Sequence, residues 1–271
     1  MDEQQKKEML RKTFDTISKG YDIPALRFFQ RSAEHLAGHL GLKGNERVLD
    51  VATGTGTAAI ALARSLPEGQ VTGVDFSEGM LAVAEAKVGA SGMDNISLMR
   101  MDMQELQFPG GYFDAAVCAF GVFFVEDMVG QVRLVAEKVK KGGRFLMTTF
   151  DDNTFSPIVE MMFNRLKDYG VEAPPETRKR LYTAEQCSAL FQEAGLGDVK
   201  VESQEVGYFL PDAGGWWDVV WNAGFRRYIN QLPEGVREKF RDEHMREVQD
   251  LATHEGLWLQ VDVLYTRGLV V

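Results

Sequence analysis

Two glycines and three acids in one ordered stretch are the part of this chain best suited to chemistry. The run Val48-Leu49-Asp50-Val51-Ala52-Thr53-Gly54-Thr55-Gly56-Thr57 is an apolar strand that closes on an acid and turns through glycine. A helix then opens at Ala58-Ala59-Ile60-Ala61-Leu62-Ala63. Glycine at Gly54 and Gly56 permits a tight turn and a close approach to a ligand that any Cβ would obstruct. The N–H groups and dipole of the new helix face the same crevice. This is the local design of a nucleotide-cofactor site. Asp75 closes a second apolar stretch and Asp102 follows a third.

The identity of the ligand turns on the acids. Taken alone, Gly54-x-Gly56-x-x-Ala59 fits a dinucleotide fingerprint, and Asp75 lies about 20 residues on, where an acid binds ribose hydroxyls. Two features point elsewhere. A dinucleotide loop sets its first glycine directly after the strand, so that pyrophosphate meets the helix N-terminus. Here Asp50 closes the strand and Val51-Ala52-Thr53 lengthens the turn. An acid at that place repels pyrophosphate and attracts an ammonium or a sulfonium. Asp102, just past the third strand, can accept a hydrogen bond from an adenine amine.

The elements that must position these groups follow from the hydrophobic pattern. Residues 4–19 read as a helix, with Leu10, Phe14 and Ile17 on one stripe. Pro24 opens a second helix, from Ala25 to Leu40. From Arg47 the pattern alternates. Strands are expected at 48–51, 70–74, 96–99, 113–119 and 143–150, and helices at 58–66, 78–90 and 128–140. This order predicts a doubly wound, mostly parallel sheet with helices on both faces. Beyond it, helices are expected at 156–169 and 183–194, with a loop at Glu172-Ala173-Pro174-Pro175. Strands at 199–206 and 257–265 suit a sheet edge where one strand runs antiparallel. Between those strands, residues 207–256 read as mostly helical and hold three of the four tryptophans.

Composition narrows the partners. The net charge of −10 repels nucleic acid and anionic membrane surfaces. No Lys/Arg-rich stripe offsets it, so a small-molecule partner fits better. Cys118 and Cys187 form no metal-spacing motif and no disulfide framework, which makes a reducing, cytoplasmic setting the expectation. The charged N-terminus lacks a signal peptide's apolar core, and no apolar stretch approaches a membrane span. His35 and His39 stand at i, i+4 on a helix, but no third ligand is evident, and no metal is expected.

At this point the chain resembles the class I S-adenosylmethionine-dependent methyltransferases. Val48 to Gly56 is similar to that family's first motif, with Ala52 where many members have glycine. Val74-Asp75-Phe76-Ser77-Glu78-Gly79-Met80-Leu81 is similar to its second. Met101-Asp102-Met103, Phe108-Pro109 and Phe113-Asp114 are similar to its third and fourth, and Lys141-Gly142-Gly143-Arg144-Phe145 to the turn that follows. The variant with Val-Ala-Thr-Gly-Thr-Gly and Val-Asp-Phe-Ser runs is the ubiquinone/menaquinone-biosynthesis group. Phe120-Gly121-Val122-Phe123-Phe124 departs from that group's Gly-Leu-Arg-Asn, so the resemblance holds for the broader class.

The resemblance implies a seven-stranded Rossmann-like sheet, an antiparallel C-terminal strand and a helical lid. It implies S-adenosylmethionine as methyl donor and S-adenosylhomocysteine as product. Asp50 would face the methionine ammonium and Asp75 the ribose diol. Phe76 and Met80 would sandwich the adenine, Asp102 and Met103 would read its edge, and Tyr21 would close over the cofactor. Ala52, Thr53, Gly54, Gly56 and Ala119 complete the cofactor set. For Met80 a core role, and for Tyr21 a packed turn, remain open. The expected organisation is one domain: residues 1–44 covering the cleft, 45–150 binding the cofactor, and 151–182 with 207–256 forming an acceptor lid. Phe120, Phe124, Phe150, Trp216, Trp217, Trp221 and Phe225 are candidates for the acceptor pocket, or else for the packing of a lid or a dimer contact. Donor activation leaves the protein mainly to orient and desolvate, so no catalytic base is named. The expected activity is methylation of a small apolar or aromatic molecule by a monomer or homodimer. A non-catalytic S-adenosylmethionine binder and an NAD-dependent oxidoreductase are the alternatives.

Overall fold

In a computed structural model that describes residues 3–171 and 177–271, a seven-stranded sheet organises the chain. The N-terminal part runs α1 (Glu3–Ile17), a 3-10 turn Ser18–Gly20, α2 (Phe28–Ala33) and α3 (Leu36–Leu40). The alternating core is β1 (Arg47–Val51), α4 (Thr57–Ala63), β2 (Gln70–Asp75), α5 (Glu78–Ser91), β3 (Ile96–Arg100), β4 (Phe113–Ala119), α6 (Met128–Lys138) and β5 (Val139–Phe150). There follow α7 (Ile158–Asp168), α8 (Ala184–Glu193), β6 (Gly197–Glu205), β7 (Tyr208–Leu210), α9 (Ala213–Asn222), α10 (Arg226–Ile229), α11 (Glu234–Gln249), β8 (Leu257–Leu259) and β9 (Asp262–Leu269).

The strand order is β3-β2-β1-β4-β5-β9-β6. β1 to β5 pair in parallel, and β9 runs antiparallel to both β5 and β6. The central strands are apolar along their length, with Val48, Leu49, Val51, Ala115, Ala116 and Val117 all fully buried. That is the signature of a parallel sheet covered on both faces. The order reverses at β1, between β2 and β4. The crevice past the carboxyl ends of those three strands is where an open α/β sheet binds its ligand.

Several elements differ from the sequence reading. The expected helix 25–40 breaks into a 3-10 turn Pro24–Leu26, α2 and α3. The Ser32 carbonyl accepts from Tyr265 Oη at 2.9 Å and from His35 N–H, so it is not left to continue an α-helical ladder into Leu36. α6 stops at Lys138, because Lys140 to Gly143 enter β5 as an irregularity opposite Phe113 and Ala115, with Gly142 at φ +77°. The expected strand 257–265 divides into β8 and β9. β8 leaves the main sheet to pair with β7, which the reading of 207–256 as helical had missed. The loop expected at 172–175 lies outside the described residues.

Candidate active site

The glycine turn is built on the end of β1 and held by β2. Ala52 has φ +56° and Gly54 φ +55°, both in the left-handed region. Glycine adopts that conformation without penalty; alanine carries a modest steric cost, which explains why glycine suits the place of Ala52. Thr53 N–H donates to the Val74 carbonyl at 2.9 Å, and Gly54 N–H donates to Asp75 Oδ2 at 2.9 Å. Asp75 Oδ1 accepts from Ser77 N–H, also at 2.9 Å. Ser77 then caps α5 by accepting from Met80 N–H. The carboxylate of β2 therefore fixes the glycine turn and its own helix start together. A Cβ on Gly54 would meet nothing within 4 Å, whereas one on Gly56 would lie 3.1 Å from the Ala84 Cβ. Gly54 leaves room toward the crevice. Gly56 serves the packing of α4 on α5.

A cavity opens at this turn and takes in about 1380 Å³ free of atoms, its open mouth included. Tyr21, Ala52, Thr53, Gly54, Asp75, Phe76, Met80, Asp102, Met103 and Ala119 all line it. Asp102 is steadied by Gln104 N–H at 2.9 Å and ion-paired with Lys7 of α1. Met103 is fixed through its carbonyl, which accepts from Gln131 Nε2 at 2.7 Å. The roof is aromatic. Tyr21 stacks on Phe29 with ring centroids 4.9 Å apart, Phe29 meets Phe120 edge-on at 5.2 Å, and Phe14 meets Phe124 edge-on at 5.4 Å. Phe120 itself has φ +55° directly past β4. A bulky residue in that conformation persists only where its surroundings impose it.

Comparison with known proteins meets this geometry at the same residues. A family described as a methyltransferase domain matches residues 48–143, from β1 into β5. A demethylmenaquinone methyltransferase of Geobacillus kaustophilus is 29% identical over 222 residues, covering 75% of this chain and 95% of that protein. One from Staphylococcus aureus is 29% identical over 221 residues, covering 74% and 90%. Among solved structures, the YcgJ protein of Bacillus subtilis superposes with a TM-score of 0.59 at 21% identity, covering 88% of this chain and 97% of that one. A putative methyltransferase of Bacillus halodurans gives 0.60 at 19%, covering 88% and 98%. The chain therefore carries a methyltransferase domain over residues 48–143 and is similar to methyltransferases along about three quarters of its length.

Two members of the expected cofactor set do not line the cavity. Gly56 faces α5, as above. Asp50 is fully buried beneath the turn. Its Oδ2 accepts from Thr53 Oγ1 at 2.6 Å; among the described residues its Oδ1 makes no hydrogen bond of ordinary length and angle, although the Ala59 N–H at the start of α4 favours the ionised form. Burial pushes the Asp50 carboxyl up to about 7, with nearby Asp75 adding to the effect and the Thr53 bond opposing it. Burial also raises Asp75, against the pull of the Ser77 and Gly54 N–H groups. The Tyr21 phenol is driven up by burial and by Asp75 and Asp22, so it stays protonated.

The aromatic candidates divide. Phe120 and Phe124 line the cavity. Phe150 does not; it backs Phe120 at 4.5 Å from the core side. Trp216 and Phe225 lie elsewhere, around Phe155 at 6.0 and 5.7 Å, and Trp216 Nε1 donates to His244 Nε2 at 2.9 Å. Trp217 and Trp221 stack on each other at 6.2 Å, half-buried, and do not reach the cavity. Trp216 ties α9 to α11 through His244, and Phe225, between α9 and α10, meets Phe163 of α7 edge-on at 6.3 Å. Leu10, Phe14 and Phe29 also line the cavity. They sit on N-terminal stripes whose spacing announces only a buried helix face. The pairing of those stripes with a glycine turn in one crevice is a tertiary fact.

No histidine or cysteine lines the cavity. His35 bonds Gln204, and His39 stacks on Tyr265 at 4.1 Å. Among the described residues no group of three His, Cys, Asp or Glu side chains is placed to hold a metal ion. No described helix is long and apolar enough to cross a membrane.

Proposed function

We propose that the cavity binds S-adenosylmethionine between the glycine turn and the N-terminal helices and presents its methyl group to a small, flat, apolar acceptor. The observation that carries this is Asp75. It lines the cavity at 7% exposure, and each carboxylate oxygen is already oriented by a backbone N–H. Each oxygen keeps a further lone pair, which suits a vicinal diol. Other features support the same ligand. The open side of Gly54 accommodates a close approach, and Asp50 Oδ1, with no hydrogen bond of ordinary geometry among the described residues, is a buried acceptor for a cationic amine, directly or through water. Phe76 and Met80 supply apolar faces for adenine, and Asp102 with Met103 supplies acceptors for its amine. Tyr21, Ala52, Thr53 and Ala119 complete the contact surface.

The bound donor supplies a methyl group already activated by its sulfonium. In such a transfer an acceptor lone pair would bond the methyl carbon while the carbon–sulfur electron pair returned to sulfur, and any proton on the acceptor would pass to bulk solvent. The chain's task is to align the acceptor and exclude water. Phe14, Phe29, Phe120 and Phe124 support this by lining the cavity with rings, while Lys6 and Glu126 beside them are paired with each other. Such walls favour a planar aromatic acceptor, and relatives named as demethylmenaquinone methyltransferases favour a quinone-type ring.

The test is to incubate the chain with S-adenosylmethionine and a panel of reduced naphthoquinones, simple phenols and aliphatic amines. Mass spectrometry then follows methylated product and S-adenosylhomocysteine. Product from the aromatic members is expected. Product from the amines alone would contradict the acceptor class.

A further inference from the structure

Asp22, next to Tyr21, does not line the cavity, yet it joins three elements. Its Oδ1 accepts from Thr55 Oγ1 at 2.8 Å, and its Oδ2 lies 2.9 Å from Lys87 Nζ. The same ammonium donates to Thr57 Oγ1 at 2.9 Å. Thr55 belongs to the glycine turn, Thr57 opens α4, and both line the cavity. Lys87 stands in the third turn of α5, and neither it nor Asp22 is part of the lining. One lysine therefore spans α5, the start of α4 and the turn that follows α1.

That turn carries Tyr21. Among the described residues the Tyr21 ring also stacks on Phe29 and makes a 6.4 Å edge contact with Phe14. Stacked rings slide over one another at little cost, because dispersion is weakly directional. A charge-assisted hydrogen bond has a defined length and direction. The Asp22 clasp thus sets how far Tyr21 projects over the glycine turn. We propose that Lys87 is a positioning residue that acts through Asp22 to hold Tyr21 over the cofactor. This rests on the cofactor reading above. The side chains of Lys87 and Asp22 are 32% and 35% exposed, so the pair adds little to global stability and its loss leaves the chain folded.

Calorimetric titration of the full chain with S-adenosylhomocysteine tests the assignment. Lys87→Met is expected to raise Kd about fivefold with a melting temperature within about 2 °C of wild type. Lys87→Arg, which keeps the charge and donors, is expected to stay within about twofold. In a Tyr21→Ala background, Lys87→Met is expected to change Kd no further, because the lysine acts through the tyrosine. A wild-type Kd in Lys87→Met, or a fivefold effect that persists without Tyr21, would overturn the assignment while leaving the cofactor reading intact. Failure of the wild-type chain to bind S-adenosylhomocysteine would remove both.

Discussion

The crevice past β1, β2 and β4 and the bundle of α7, α9 and α11 are both rich in aromatic rings, and they use them in opposite ways. In the crevice, Tyr21, Phe120 and Phe124 keep a face toward open space, and polar groups of the backbone and of Asp75 converge beside them. In the bundle, Trp216 is fully buried, packed by Phe155 and Phe225, and its N–H is spent on His244. Ring content alone does not separate a pocket from a core. What separates them here is the company of the rings: turned backbone and oriented carboxylates in one place, mutual packing in the other.

The largest effect that would break this contrast concerns Trp216. Trp216→Ala is expected to destabilise the chain by about 3–5 kcal/mol, from the cavity left and the unpaired His244 Nε2. The folded fraction should bind S-adenosylhomocysteine as wild type does. Urea unfolding and titration of the same sample would check both halves. Weakened binding without lost stability would place Trp216 in the ligand site.

The two regions should also answer pH with opposite sign. Burial, with Arg165 adding, lowers His244 from 6.5 to about 4. The unfolded chain takes that proton more readily, so stability falls as pH drops from 6.5 toward 4, by on the order of 3 kcal/mol. Asp50 is raised from 3.8 to about 7, so the unliganded fold loses stability as pH rises through that window. Ligand binding reads the same acid the other way. An ammonium prefers ionised Asp50, so affinity for S-adenosylhomocysteine should climb toward pH 7, by up to about tenfold per unit, and level off above it. His244→Gln should flatten the acid limb of stability, and Asp50→Asn the rise in affinity, with Asp75 leaving a residual slope of the same sign. The smallest effect belongs to Trp217, half-buried against Trp221. Trp217→Ala should cost about 1–2 kcal/mol in the same urea series, since a half-buried ring loses only part of its packing.

The same contrast explains what the sequence made legible. The parallel core was readable because strands buried on both faces are continuous apolar runs, and because Asp50 and Asp75 fall at or next to the ends of β1 and β2. Asp75, Asp102 and Gly54 were readable for the same reason: strand, turn and helix fix them within a few residues of their neighbours. Phe29 and Phe14 were not, since a helical stripe looks the same whether it meets a core or a cavity. Trp216 misled for the converse reason. Its place in the packed core, away from the cavity, depends on Phe155 and His244, which lie in other elements. The break in the helix after Ala33 depends on Tyr265, which reaches Ser32 from the far end of the chain.

The account stands most directly on Asp75 and the turn it holds. Titration of S-adenosylhomocysteine into the wild-type chain and into Asp75→Ala, with NAD as a control ligand, tests it in one experiment. One site of micromolar affinity is expected in the wild type. The variant is expected to bind about 100-fold more weakly, since two hydrogen bonds to a charged group are lost. NAD is expected not to bind. Binding of NAD in place of S-adenosylhomocysteine, or equal affinity in Asp75→Ala, would contradict the account.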